Sequence, residues 1–227
     1  MDTKVRTHMD VELQQLKSDI VEMWETVISQ LQKAREVIEN NNRELINEMA
    51  AGEKRIDAFE LKIDMDCESL LALYGPVAND LRFVLSVLKI NYNLERIGDF
   101  AWGTAKVFRD TDSSFSKDCL KKSNLSQMFD VAIDMVKTAL MAFENDNNEL
   151  ASIIFEKDKT LDATNKNANH IIAGLIKDHP KAILNHLSIL SIIRKLERIG
   201  DHTKNISEEI IFYIEAKVLR HNRKKNK

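Results

Sequence analysis

Apolar residues recur at intervals of three and four along most of the chain. Two examples are the series Leu81, Leu85, Leu88 and Tyr92 and the series Ile183, Leu187, Leu190 and Ile193. This spacing is typical of α-helices that bury one face against their neighbours. Six glycines and two prolines in 227 residues supply little of the turn chemistry that a β or α/β chain needs. The pattern therefore predicts an all-α fold.

Five interruptions divide the pattern into six predicted helices. Pro76 and Pro180 each mark a helical hairpin, because proline fits the first turn of a helix, where its missing donor costs little. The other three interruptions are polar segments near residues 40–53, 109–118 and 143–150. The helices are predicted at residues 9–45, 48–74, 79–109, 117–146, 148–177 and 181–220.

An internal repeat indicates how these helices are organised. The hexapeptide LERIGD occurs at residues 94–99 and again, identical, at residues 196–201. The same shift of 102 residues also aligns apolar positions in the preceding turns, such as Leu85 with Leu187 and Leu88 with Leu190. We expect two tandem repeated three-helix bundles, one in residues 1–112 and one in residues 113–219, followed by a solvated basic tail at residues 220–227.

Composition excludes several classes of function. The 33 Lys and Arg residues nearly balance the 36 Asp and Glu residues, so no strong overall charge points to nucleic acid. The N-terminus lacks the apolar segment of a secretory signal, and the longest apolar stretches are too short to span a bilayer. No Gly-rich phosphate loop, HExxH motif or nucleophile with its base is visible. We expect a cytoplasmic protein without a transmembrane segment that is not an enzyme.

Paired acidic residues are the candidate chemistry of the chain. Each LERIGD places a Glu and an Asp four residues apart on one helix face, and the preceding helix of each half carries a similar pair. Two antiparallel helices bring residues level when their numbers lie symmetrically about the turn, and both halves meet this condition. We call the resulting sets the first acidic quartet, Glu60, Asp64, Glu95 and Asp99, and the second acidic quartet, Asp158, Asp162, Glu197 and Asp201.

Four converging carboxylates repel one another unless a cation or protons intervene, so the quartets are candidate metal sites. Oxygen ligands favour hard ions over a thiolate zinc site, although the identity of the metal stays open among iron, manganese, magnesium and zinc. Gly98 and Gly200, inside the hexapeptides, predict close approach of a neighbouring helix or an ion. His202 follows Asp201, and we expect it to be solvated rather than a ligand.

Two other functions stay open on the residues alone. One is a carboxylate-bridged metalloenzyme or metal store, although the Glu-x-x-His motifs usual in such bundles are absent, since glycine stands three residues after Glu95 and Glu197. The other is a plain helical scaffold whose acidic pairs are solvated.

Four features of the chain resemble the PhoU family of bacterial phosphate-signalling regulators. They are the doubled LERIGD, the acidic pairs before it, the ANDLR that follows the first hairpin turn and the ERIGDHTKNISEEIIFYI near the end. The resemblance covers nearly the whole chain. It implies six helices in two bundles, and a cytoplasmic protein, often a homodimer, that binds metal clusters through its acidic motifs. It further implies a negative regulator of phosphate uptake that links a phosphate ABC transporter at the inner membrane to a sensor histidine kinase.

Overall fold

Helices account for all the regular structure in residues 7–111 and 114–216, which are the residues that this computed structural model describes. In the first half, α1 spans His8–Asn40, α2 spans Leu45–Tyr74 and α3 spans Ala78–Arg109. In the second half, α4 spans Lys117–Lys122, α5 spans Leu125–Glu144 and α6 spans Asn148–Asp178. A 3₁₀ turn at Pro180–Ala182 leads into α7, Ile183–Glu215. The predicted all-α fold is confirmed.

Local sequence explains where the first helices begin and end. Thr7 caps α1 by accepting a hydrogen bond from the backbone N–H of Asp10, and the Asp10 carboxylate accepts one from the Thr7 N–H. Asn41 ends α1 in the left-handed region at φ 55°, which asparagine tolerates better than most residues. Gly75 ends α2 at φ 55° directly before Pro76, so the first predicted hairpin turn is confirmed.

Some of the predicted helix bounds were wrong. Helix α1 ends five residues before position 45, because Asn41 turns the chain, and α2 already begins at Leu45. The single helix predicted over residues 117–146 is two helices, since Asn124 adopts φ 55° between α4 and α5. The last predicted helix ends at Glu215, because Ala216 adopts φ 56°, and residues 217–220 of its predicted range, like the basic tail, lie outside the described residues.

The two halves share one hydrophobic core. Helix α1 packs on the α2–α3 hairpin and α5 packs on the α6–α7 hairpin, while the most extensive contact among the described helices joins α3 to α7 across the halves. The fully buried indole of Trp24 donates to the backbone oxygen of Val136 at 3.1 Å, which ties α1 to α5. The two motif-bearing helices therefore lie side by side at the centre of the molecule.

No helix in the described ranges combines the length and the apolar character that crossing a bilayer requires.

Candidate functional site

The first acidic quartet is part of a larger group of carboxylates on the α2–α3 hairpin. Burial raises the pKa of Glu60, and the charges of nearby Asp64, Asp57 and, across the hairpin, Asp99 raise it further. The charge of Glu60 in turn adds to the effects of burial and of Asp99 that raise the pKa of Glu95. Two further α2 residues join them at intervals that keep one helix face. We call the whole set the first acidic cluster: Glu53, Asp57, Glu60, Asp64, Glu95 and Asp99.

Asn91 supports this cluster from α3, one turn before Glu95. Its amide Nδ2 donates to Asp64 Oδ1 at 2.9 Å and to the backbone oxygen of Glu60 at 2.9 Å. The Asn91 side chain is fully buried. It therefore fixes the orientation of the Asp64 carboxylate and the spacing of the two helices.

The carboxylates of the first acidic cluster are hard to ionise together. Burial, a hydrogen bond to Asp99 and the charges of Asp99 and Asp57 raise the pKa of Glu53 to about 8, although nearby Lys106 opposes the shift. Burial and the charges of Asp99 and Glu60 raise the pKa of Glu95 to about 7, against the opposing effect of Arg96. At neutral pH this cluster thus retains protons that a bound cation would displace.

Positive charge within reach only partly offsets the first acidic cluster. Arg96 Nη1 donates to Asp99 Oδ2 at 2.7 Å, and both side chains are about one-third exposed. Two buried oxygens, Glu53 Oε2 and Asn91 Oδ1, have no hydrogen-bond partner among the described residues. An excess of carboxylates beside unsatisfied oxygens is a donor set that suits a hard cation.

The second acidic quartet is arranged differently. Asp158 lies on α6 at 3% exposure and Asp162 is exposed one turn further on, while Glu197 and Asp201 face them from α7. The ammonium of Lys204 donates to Asp158 Oδ2, and it donates to Asp201 Oδ1 at 2.8 Å. A lysine of this chain therefore bridges two members of the second acidic quartet.

This bridge changes the electrostatics of the second acidic quartet. Burial raises the pKa of Asp158 above its usual value, and the Lys204 ammonium opposes that shift. Burial lowers the pKa of Lys204, but its hydrogen bonds to Asp158 and Asp201 outweigh that effect, so the pKa of Lys204 lies above its usual value. Lys204 is therefore charged at neutral pH and supplies a cation inside the quartet.

Both motif glycines lie where a neighbouring helix approaches closely, as predicted. A Cβ at Gly98 would lie 2.8 Å from Ile56 Cδ1 on α2. A Cβ at Gly200 would lie 2.7 Å from Asp158 Oδ1 and 2.7 Å from Leu161 Cδ1 on α6. The absence of a side chain thus lets each hairpin close tightly over its acidic residues.

The expectation that His202 is solvated was wrong. Its side chain is 7% exposed, and its Nδ1 lies 2.9 Å from Asn93 Oδ1 on α3. Burial and the charges of Arg198 and Arg96 lower the pKa of His202 to about 4, although Asp201 opposes the shift. A neutral His202 that donates to Asn93 therefore helps to hold α7 against α3.

Sequence reasoning missed four residues of these sites, namely Glu53, Asp57, Asn91 and Lys204. Each had a spacing signal, because residues 53, 57, 60 and 64 share one face of α2, residue 91 lies four before Glu95, and residue 204 lies three after Asp201. In the part of the chain that the structure describes, no three Asp, Glu, His or Cys side chains form a ready-made coordination sphere. Metal binding by either quartet therefore stays a prediction.

Known proteins resemble this chain over nearly its whole length. The sequence model of the PhoU domain matches residues 20–107 and again residues 125–210. A phosphate-specific transport system accessory protein PhoU homolog from Xylella fastidiosa is 30% identical over 218 residues, which cover 94% of this chain and 91% of that protein. Homolog 1 from Thermotoga maritima is 31% identical over 210 residues, covering 92% and 89%.

Solved structures agree with the sequence matches. The crystal structure of PhoU from Pseudomonas aeruginosa superposes with a TM-score of 0.83 at 29% identity, covering 92% of this chain and 100% of the other. The structure of the phosphate transport system regulatory protein PhoU from Streptococcus pneumoniae gives 0.82 at 28% identity, covering 93% and 99%. Two matched domains, each ending in an acidic helical hairpin, show that this chain belongs to the PhoU family.

Proposed function

We propose that this protein is a metal-binding accessory regulator of phosphate uptake and of the response to phosphate starvation. Family membership over both halves carries the phosphate assignment, because the matched relatives are named as accessory proteins of phosphate-specific transport. The protein acts without catalysis, as a negative regulator on the cytoplasmic side of the membrane. Its partners there are a phosphate ABC transporter and a sensor histidine kinase.

The first acidic cluster is the proposed metal site. Its six carboxylates, with Arg96 paired to Asp99, leave an excess of negative charge that a divalent cation would offset. Glu60, Asp64, Glu95 and Asp99 would hold the ion, with Glu53 and Asp57 completing the oxygen donors. The metal would supply a fixed positive charge that draws α2 and α3 together and orders the surface around them.

A cellular experiment tests the regulatory role. Deleting the gene should raise phosphate uptake and switch on the phosphate-starvation response in phosphate-rich medium. The wild-type gene should reverse both effects, and Asp64→Asn/Asp99→Asn should fail to do so at equal protein level. Glu156→Gln, an exposed carboxylate of α6, is the matched control and should restore regulation. Uptake and response that are unchanged on deletion would refute the proposal.

We also propose that the protein forms a homodimer through α2. Leu61, Met65 and Leu73 are exposed on this helix by 66%, 67% and 76%, and exposed apolar side chains on one helix support a protein contact there. Met65→Lys should then shift the protein to monomer in sedimentation equilibrium. Met141→Lys, at an exposed methionine of α5, should leave the mass unchanged. A wild-type monomer would exclude the dimer.

A further inference from the structure

We infer that Lys204 takes the place of a metal ion in the second acidic quartet, so that this chain binds metal in its first half alone. The inference rests on the proposed function, because it compares the second acidic quartet with metal binding by the first acidic cluster. It assigns different roles to two hairpins that share an identical LERIGD.

The first argument is the position of the ammonium. Lys204 donates both to Asp158 on α6 and to Asp201 on α7, and the numbers of these two residues lie symmetrically about the turn at residues 179–180. The Lys204 side chain is 14% exposed and that of Asp158 is 4% exposed. A cation bridging the two helices would have to occupy this same shielded space.

The second argument comes from aligned positions of the two halves. On the shift that superposes the two hexapeptides, Trp102 stands in the first half where Lys204 stands in the second. On the alignment that matches Glu60 with Asp158, Ala151 and Phe155 replace Glu53 and Asp57. The second half therefore lacks two carboxylates of the first acidic cluster, and its ammonium bonds two members of the quartet, whereas Lys106 of the first half lies near Glu53. Both differences reduce the need of the second quartet for an external cation.

The third argument concerns the one orphaned oxygen in the second acidic quartet. Asp158 Oδ1 is buried without a hydrogen-bond partner among the described residues. It faces the backbone of Gly200, where even an added methyl carbon would lie 2.7 Å away. The close helix crossing shields this oxygen, and the ammonium bonded to Oδ2 of the same carboxylate already offsets the charge that a metal ion would offset.

Counting Mn²⁺ bound to the purified full-length protein tests the inference. Equilibrium dialysis with elemental analysis gives the number of ions per chain, and circular dichroism verifies folding. The variants are Asp201→Asn, Lys204→Met and the double substitution, since methionine keeps an unbranched side chain of similar length. Asp201→Asn in the otherwise wild-type chain should leave the Mn²⁺ count unchanged. Lys204→Met should add at least one ion, and Asp201→Asn should remove it in that background.

The outcomes separate this inference from the proposed function. A lower Mn²⁺ count for Asp201→Asn alone would overturn the inference while leaving metal binding intact. A folded Lys204→Met variant without extra Mn²⁺ would also overturn it. Extra Mn²⁺ in Lys204→Met with none in the wild-type protein would support the inference and refute metal binding by the first acidic cluster. If Lys204→Met does not fold, the comparison of wild type with Asp201→Asn still decides.

Discussion

Lys204 Nζ lies 2.8 Å from Asp201 Oδ1 on the same helix, and the same ammonium bonds Asp158 across the hairpin. Removing one partner of a buried ion pair leaves the other charge unpaired, which costs far more than the pair itself contributes. We therefore expect Lys204→Met to lower the free energy of unfolding by about 3 kcal/mol in metal-free buffer at neutral pH. Urea denaturation followed by circular dichroism measures this change.

Lys159 provides the matched control for that experiment. It pairs with Glu156 on the exposed face of α6, where both side chains are about 70% exposed. Exposed pairs contribute little because water screens them, so Lys159→Met should change stability by less than about 1 kcal/mol. Equal effects of the two substitutions would show that Lys204 has no special role in the hairpin.

The glycines of the repeat should differ in their tolerance of alanine. Alanine gains about 1 kcal/mol over glycine inside a helix, whereas overpacking a core costs about 1 to 3 kcal/mol. At Gly200 the new Cβ would press on both Asp158 and Leu161, so the overpacking cost should exceed the gain and Gly200→Ala should destabilise the protein by up to about 2 kcal/mol. Gly98→Ala should destabilise the protein less, because the flexible end of the Ile56 side chain is the only group that would lie within 3 Å of the new Cβ.

Gly174 serves as the control, since nothing lies within 4 Å of its added Cβ on α6. Gly174→Ala should stabilise the protein by about 0.5 to 1 kcal/mol. Thermal unfolding of the three variants gives the ranking. Stabilisation by Gly200→Ala would contradict the close approach of α6 to α7.

His202 should make stability fall in acid. Its pKa is about 4 in the folded protein, against an ordinary value of 6.5. Between these two pH values the unfolded chain binds a proton that the folded chain does not. The contribution of neutral His202 to the free energy of unfolding is therefore fully present above pH 6.5. It declines as the pH falls towards 4, by at most about 1.4 kcal/mol per pH unit.

His202→Phe should remove this contribution, so that acidification from pH 7.5 to 4.5 lowers the stability of the variant less than that of the wild-type protein, whatever the opposing effect of Glu53 and Glu95. Phe100 occupies the matching place in the first half, and its ring lies 5.7 Å from that of His202, so the neighbourhood already accommodates aromatic rings. Asn93 Oδ1 keeps a donor in the variant, because Asn205 also bonds it at 3.2 Å. Urea unfolding at several pH values between 7.5 and 4.5 measures the slope. An unchanged slope would mean that His202 does not govern it.

The two halves should unfold together. One core spans them, and Trp24 bonds Val136 across the boundary. In a Trp102→Phe variant, fluorescence reports on Trp24 alone, and its denaturation midpoint should coincide with that of the far-UV circular dichroism. Two separate transitions would indicate independent bundles.

Periodicity and the hexapeptide repeat were sufficient to predict the all-α fold, the hairpins at Pro76 and Pro180, and the convergence of Glu60 with Asp99. These features follow from helix geometry and chain register, which are local properties. The break at Asn124 was missed because one residue in the left-handed region leaves no trace in an apolar pattern. Burial of His202 was missed because it depends on α3 packing against α7, which connects distant parts of the chain.

The repeat alone also could not predict how the charges of the two acidic sites differ. The identical hexapeptides placed one candidate site in each half, and Asp158 in place of Glu60 already indicated that the two sites need not bind alike. Their electrostatics, however, depend on neighbours outside the motif. Glu53 and Asp57 add carboxyl groups to one hairpin, and Lys204 adds positive charge to the other. A repeat thus predicts backbone geometry more reliably than it predicts the charge of a site.

The most direct test of metal binding is the Mn²⁺ content of the wild-type protein beside Asp64→Asn/Asp99→Asn. Because these substitutions remove repelling charges, we expect the metal-free variant to stay folded by circular dichroism. The account predicts that the wild-type protein binds Mn²⁺ and that the folded variant loses it, with Glu156→Gln binding as much as wild type. Equal binding by wild type and Asp64→Asn/Asp99→Asn, or none by either, would contradict a metal site in the first acidic cluster.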